Sequence, residues 1–420
     1  MTAAIERTTT ETLLSSAWIY ASQNNAASLV QWFYYSITPR KMGRHRFGSI
    51  RLTQKLSLYI LPHTSRPENW DPLLLSHIAM AQPSPAFATP LPQSNRSEVL
   101  EWRFPKPYHQ YVLTGKSRAA WHTSFVIPQL NLLLDAGLVV NKERPKHIFL
   151  THGHSDHVLL SPAFVKREDP PDIYCPVEMK RFFDDYILAK TMMNRGGHIQ
   201  YDEAEARGLP VDKDAPDVDD DGRTPSQRAF LGTHVTHPVV PGDEIPLRRL
   251  KGMSATVFQC DHNVPCVGYV FSTTTHRLKP EYTSLSGNEI KALRTSGVDI
   301  TAPHTSPVFA FLGDTTASVL AAEPPWLRDG IPVVITECSF LYEEHRAQAE
   351  KTKHTYWPDL EVVVRRWPET TFVIMHFSMR YSDEQVSAFF KGLPDPPRNI
   401  VVWGLECKKH CYLQLKVLER

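Results

Sequence analysis

Four side chains able to bind metal crowd six consecutive positions: His152, His154, Asp156 and His157, spaced by Gly153 and Ser155. They follow the apolar run Ile148, Phe149, Leu150. A strand that ends in a tight loop can turn His152 and His154 towards one cation while Asp156 and His157 reach a second. The imidazoles supply neutral nitrogens, and the carboxylate offsets charge. Four local ligands cannot complete two sites, so others must converge from later in the chain. Three candidates end strand-like runs: His262 after Ala255 to Gln259, Asp314 directly behind Gly313, and His376 after Thr371 to Met375. A glycine before Asp314 lets backbone approach closely. Together these residues make seven ligands for two metals, with one carboxylate shared.

The order HxHxDH, later His, Gly-Asp-Thr, final His resembles the metallo-β-lactamase superfamily over roughly residues 106 to 405. More narrowly, HNVPCVGY at His262 to Tyr269, ECSF at Glu337 to Phe340 and HFSMRY at His376 to Tyr381 are similar to ribonuclease Z. That resemblance implies an α/β fold, the four-layer αββα sandwich, here with an N-terminal extension. It implies two zinc ions, one held by His152, His154, His262 and Asp314, the other by Asp156, His157, Asp314 and His376. Asp314 would bridge, and the same ligands would accept manganese or iron. Asp135 matches an aspartate that supports the ligand histidines from behind. By the same carry-over Asp156 orients or deprotonates the attacking water, Glu337 and His354 supply a proton to the leaving 3′ oxygen, and Arg380 lies near substrate phosphate.

The implied activity is that of a metal-dependent hydrolase, an endoribonuclease cutting 3′ trailers from precursor tRNA, with RNA as its partner and a homodimer left open. Two other functions stay in view: a phosphodiesterase for a cyclic nucleotide or another RNA, and a non-catalytic RNA-binding scaffold. The chain departs from the family at Thr336, where a His is usual before the Glu, and at Thr355 and Tyr356, where a Ser-containing pattern is usual. It departs again at Phe271 to Ala310, which lacks the Gly- and Pro-rich composition of the family's tRNA-gripping arm. No such arm is expected.

Composition bounds these readings. A net charge of +1 excludes a surface that is basic all over, so any nucleic-acid footprint must be local. The most apolar early stretch, Ala17 to Tyr35, is broken by Gln23, Asn24, Asn25 and Gln31, which argues against a membrane span. Six cysteines without a secretory signal suit a reducing compartment, cytoplasmic or nuclear. Residues 12 to 67 contain no acid but carry Arg40, Lys41, Arg44, Arg46, Arg51, Lys55 and Arg66, which leaves mitochondrial import open.

The expected organisation is a basic extension with a Pro-rich linker over residues 1–105, a catalytic domain over 106–405 and a tail over 406–420. Short strands such as Tyr111 to Leu113, Leu132 to Leu134, His147 to Leu150 and Thr256 to Gln259 alternate with helical patterns at Val177 to Met192 and Asp383 to Phe390. Residues 202–229, crowded with aspartates, read as a solvated insertion. Gly115, Lys116 and Ser117 imitate the end of a phosphate-binding loop, but Gln110 stands where its first glycine should be. Cys407, His410 and Cys411 lack the further ligands a metal site needs.

Overall fold

A computed structural model describes residues 87–94, 97–197 and 203–404. Most of the basic extension, the tail after 405 and the Cys407, His410, Cys411 group lie outside the described residues. Two sheets form the centre. The first runs in chain order through β1 (Leu91–Pro92), β2 (Leu100–Arg103), β3 (Val112–Arg118), β4 (His122–Ile127), β5 (Leu132–Leu134), β6 (His147–Phe149), β7 (Asp172–Pro176) and β8 (Val235–Val239). The second contains β9 (Glu244–Pro246), β10 (Met253–Gln259), β11 (Val267–Leu278), β12 (Thr301–Phe311), β13 (Val333–Glu337), β14 (Thr371–Met375) and β15 (Ile400–Val402). Each sheet begins antiparallel and turns parallel, the first from β5 onwards and the second from β12 onwards.

Alternation builds the layers. Phe125, Ile127, Leu132, Leu134 and Phe149 face Ala255, Val257, Tyr269, Phe271 and Phe309 in the core between the sheets. The opposite face of the first sheet, with Ile148 and Ile173, packs on Phe183 and Ile187 of the helix Lys180–Asn194. The outer face of the second sheet, with Val334, Phe372 and Ile374, packs on helices Trp357–Arg366 and Asp383–Lys391 through Trp357, Leu360 and Phe390. The result is the helix, sheet, sheet, helix order of the metallo-β-lactamase fold.

The structure corrects several expectations. The domain starts before residue 106, since β1 and β2 extend the first sheet, Ala88 bridges Val401, and Leu100 and Phe104 are buried. Proline-rich composition disguised this, because an edge strand tolerates a residue without an N–H. Strand β3 runs from Val112 rather than Tyr111 and continues to Arg118. Val177 to Met179 is a separate 3-10 turn before the long helix.

The aspartate-rich stretch is less loose than its composition suggests. Arg223 reaches Asp185 and Asp221, both at 2.7 Å, Thr224 and Gln227 form a capping box, and Ala204, Ala229 and Phe230 make a small core with Leu188.

The largest surprise is an arm. Beyond Thr273, β11 leaves β10 and pairs only with β12, from Thr274 opposite Thr305 to Leu278 opposite Thr301. The ribbon carries at its end the helix Gly287–Thr295, capped by Ser286 and without a buried residue. Threonine-rich strands and a capped helix build this projection, with Pro280, Gly287, Gly297, Pro303 and Pro307 scattered through it rather than in the Gly- and Pro-rich run that the sequence reading sought.

Candidate metal centre

The seven ligand candidates meet at one edge of the sandwich, beyond the C-terminal ends of β6, β12 and β14 and in the turn between β10 and β11. His152 follows β6, and the chain bends into the short helix Ser155–Val158, on which Asp156 and His157 stand one after the other. Gly313 is required beyond β12 because a Cβ there would lie 2.5 Å from the Thr151 side chain. His376 leaves β14 with φ of 62°, a left-handed conformation costly for a non-glycine residue and held here by its surroundings.

Two groups form around Asp314. Its Oδ2 faces His152 Nε2 at 3.7 Å and His262 Nε2 at 4.0 Å, and His154 Nδ1 lies 3.1 Å from the first and 3.3 Å from the second. Its Oδ1 faces His157 Nε2 at 3.3 Å and His376 Nε2 at 3.4 Å, which are 3.2 Å from each other. Asp156 Oδ2 completes the second group, 3.6 Å from His157 and 3.3 Å from His376.

The donor chemistry fits cations. Nitrogens meet nitrogens at hydrogen-bond distance, and buried Asp314 Oδ1 has no hydrogen-bond donor. Such convergence of lone pairs is stable when positive charge sits among them. Burial alone would raise the Asp314 carboxyl, but His376 and His157 hold it well below its ordinary range. Asp156 behaves likewise, lowered by His157 and His376 against the cost of burial.

Hydrogen bonds behind the ligands fix their tautomers. Asp135 Oδ2 accepts from His157 Nδ1 at 2.7 Å, while its Oδ1 accepts the Thr151 N–H at 2.8 Å. His262 Nδ1 donates to the Lys353 carbonyl at 3.1 Å, and His376 Nδ1 lies 3.1 Å from Ser339 Oγ. Each contact leaves the other ring nitrogen free to face a cation. Thr151 and Ser339 were given no role from sequence. Their only signals were adjacency, Thr151 to His152 and Ser339 two positions after Glu337.

Glu337, at the end of β13, and His354 stand beside this cluster. His354 Nδ1 is 2.7 Å from Glu337 Oε1 and 3.9 Å from Asp314 Oδ2. Glu337 also accepts from Thr315 N–H at 2.8 Å, Ser339 N–H at 3.2 Å and Ser339 Oγ at 2.7 Å. Asp314, Glu337, His354 and His376 are close enough to form a third ligand group. The four hydrogen bonds to Glu337 argue against that use, because they occupy its lone pairs and direct His354 Nδ1 at it. Burial works against a charged His354, yet Glu337 and Asp314 push its pKa up to about 9.

Arg380 is exposed, and its guanidinium bonds to Gln348 at 2.9 Å and Ser378 at 3.1 Å rather than to the cluster.

The family model described as the metallo-beta-lactamase superfamily matches residues 128–246, which include the first histidine cluster. The chain is 25% identical over 293 residues to tRNase Z TRZ1 of Arabidopsis thaliana, covering 68% of this chain and 92% of that protein. It is 26% identical to tRNase Z TRZ2, chloroplastic, of the same plant, covering 66% of this chain and 70% of the relative. Among solved structures, the short form of human tRNase Z matches with a TM-score of 0.36 and 15% identity, over 63% of this chain and 92% of that one.

Proposed function

We propose that this chain, which belongs to the metallo-β-lactamase superfamily and to its ribonuclease Z-like branch, is a two-zinc endoribonuclease that removes 3′ trailers from precursor tRNA. The observation that carries the reading is the Glu337 and His354 pair, 2.7 Å apart and beside bridging Asp314. Lactam or thioester hydrolysis on this fold has no evident use for it. The names of the plant relatives support the same substrate.

His152, His154, His262 and Asp314 would hold one zinc, and Asp156, His157, Asp314 and His376 the other. Metal ions there would supply a water of lowered pKa and neutralise charge on the phosphate oxygens. Asp156, fixed by the Ala120 N–H at 2.8 Å, would orient that water or accept its proton. His354, kept protonated by Glu337, gives a proton to the leaving 3′ oxygen, so the tRNA product ends in a 3′ hydroxyl. Arg380 would have to exchange Gln348 for a substrate phosphate, a contact its planar fork suits. The ribbon of β11 and β12 offers His276, Arg277 and Lys279 at its outer end for RNA held away from the metals. Among the described residues no helix is long and apolar enough to cross a membrane.

The test incubates the zinc-loaded protein and its Asp156→Ala variant with a 3′-extended tRNA, a cyclic nucleotide and a thioester. Cleavage of the tRNA by the wild type, lost in the variant and leaving a 3′ hydroxyl, is expected. Turnover of the cyclic nucleotide alone would overturn the assignment. No turnover with zinc bound would favour an RNA-binding scaffold.

A further inference from the structure

The turn between β3 and β4 follows the failed phosphate-loop lookalike, which lies within β3, and is tied to the metal centre at two points. Ala120, with φ of 57°, donates its N–H to Asp156 Oδ2 at 2.8 Å, and the Ala119 N–H donates to the carbonyl of Phe377, next to His376, at 3.2 Å. The next residue is Trp121, 55% exposed at a place where the fold needs no indole. Its ring carries the Lys116 ammonium, itself paired with Glu98 at 2.6 Å, 4.7 Å from the centroid, and packs on His122 at 4.5 Å. Beside it opens a cavity of about 270 Å³ lined by Leu100, Trp403, Met379, Lys116, Glu98 and Asp383.

An exposed indole, a cation beside it and an adjoining cavity are the parts that single-stranded nucleic acid uses, the base stacking while phosphate takes the place of Glu98 at the ammonium. Gly115 serves this arrangement only through packing, since a Cβ would lie 2.1 Å from the Ser124 carbonyl across the hairpin.

We infer that Trp121 and Lys116 form a nucleobase subsite that holds the first nucleotide of the trailer, downstream of the bond being cut. The inference rests on the function proposed above. The leaving 3′ oxygen belongs to the upstream nucleotide and is assigned to His354, whereas Trp121 is tethered on the Asp156 side, from which attack comes. In-line displacement sets those two sides opposite each other. The downstream nucleotide, not the upstream one, therefore has reason to reach the indole.

The experiment compares wild type, Trp121→Ala and Trp121→Phe on a 3′-extended tRNA and on the same RNA with an abasic first trailer nucleotide. Base stacking removed by alanine is expected to raise KM roughly tenfold on the intact RNA, with kcat within about twofold. Wild type and Trp121→Ala should be equal on the abasic RNA, and Trp121→Phe should recover most of the intact-RNA affinity. Equal losses on both RNAs, or a loss confined to kcat, would sink the subsite while leaving the endonuclease intact. A wild type that cuts neither RNA would remove the endonuclease reading and this one with it.

Discussion

Strand β6 carries a buried histidine at each end, and the two ends have opposite characters. Past its C-terminus, His152 joins a cluster of five histidines, Asp156 and Asp314, in which ring nitrogens face one another and, among the described residues, no Lys or Arg pairs with either carboxylate. At its start, His147 sits beside buried Asp172, which is answered by His237 at 2.9 Å and by Arg248. The Tyr174 ring stacks on His237 with centroids 4.8 Å apart. Both ends bury histidine and aspartate. One is left short of positive charge, whereas the other is supplied with it by the protein. That difference, rather than residue type, separates a metal centre from a structural ion pair.

The comparison breaks first at Asp314, whose two carboxylate oxygens each face one histidine group. Asp314→Asn should lose bound metal and reduce cleavage at least about a thousandfold, roughly 4 kcal/mol in the barrier. Metal content by atomic emission and single-turnover rates would show it, and a fully metallated, active variant would refute the bridging role. His354→Ala should cost about 10² to 10⁴ in kcat with metal content unchanged, as expected of a proton donor beside the ligands. A variant that sheds metal would instead make His354 a ligand. Ser339→Ala, which frees His376 Nδ1, should weaken metal binding about 10- to 100-fold, read by competition with a chelating dye.

How much of this was legible follows the same division. The convergence of the seven candidates was readable because a strand end concentrates four ligand-type side chains in six residues, and His262, Asp314 and His376 each close an apolar run. The layered fold followed from alternating strands between helical stretches. Thr151 and Ser339 were hidden, because a hydroxyl next to a ligand looks like any other hydroxyl until the chain brings Asp135 and His376 to it. The arm escaped because it is built from paired Thr-rich strands and a capped helix, whereas the sequence reading looked for a Gly- and Pro-rich composition. β1 escaped because an edge strand accepts proline, and β2 because four residues are too few for alternation to show.

At the opposite end of β6 the expected effects fall on stability alone. Asp172→Asn should cost about 2 kcal/mol, less than a sealed ion pair because the Arg248 left behind can reach water, with cleavage unchanged. A thermal melt paired with an activity assay checks both halves, and lost activity would mean the two ends are coupled through β6.

The smallest effect is expected at His147, where neither ring nitrogen finds a hydrogen bond among the described residues. Burial lowers its pKa to about 4, against the pull of Asp172 and aided by Arg249, Arg248 and His237. A depressed pKa means that the unfolded chain binds the proton first. The neutral imidazole's contribution is therefore complete above the ordinary value of about 6.5 and lost as pH falls towards 4. Asp172, also held below its ordinary value, adds its own loss only at lower pH. His147→Phe keeps the ring volume and removes both the unmet polar atoms and the titration. It should be as stable as wild type or up to about 2 kcal/mol more stable at pH 7. Its advantage should widen by at most about 1.4 kcal/mol per pH unit between 6.5 and 4. Denaturant midpoints across that window measure the gap, and a constant gap would show that His147 is already charged in the fold, as a metal-free His–Asp pair with Asp172 would require.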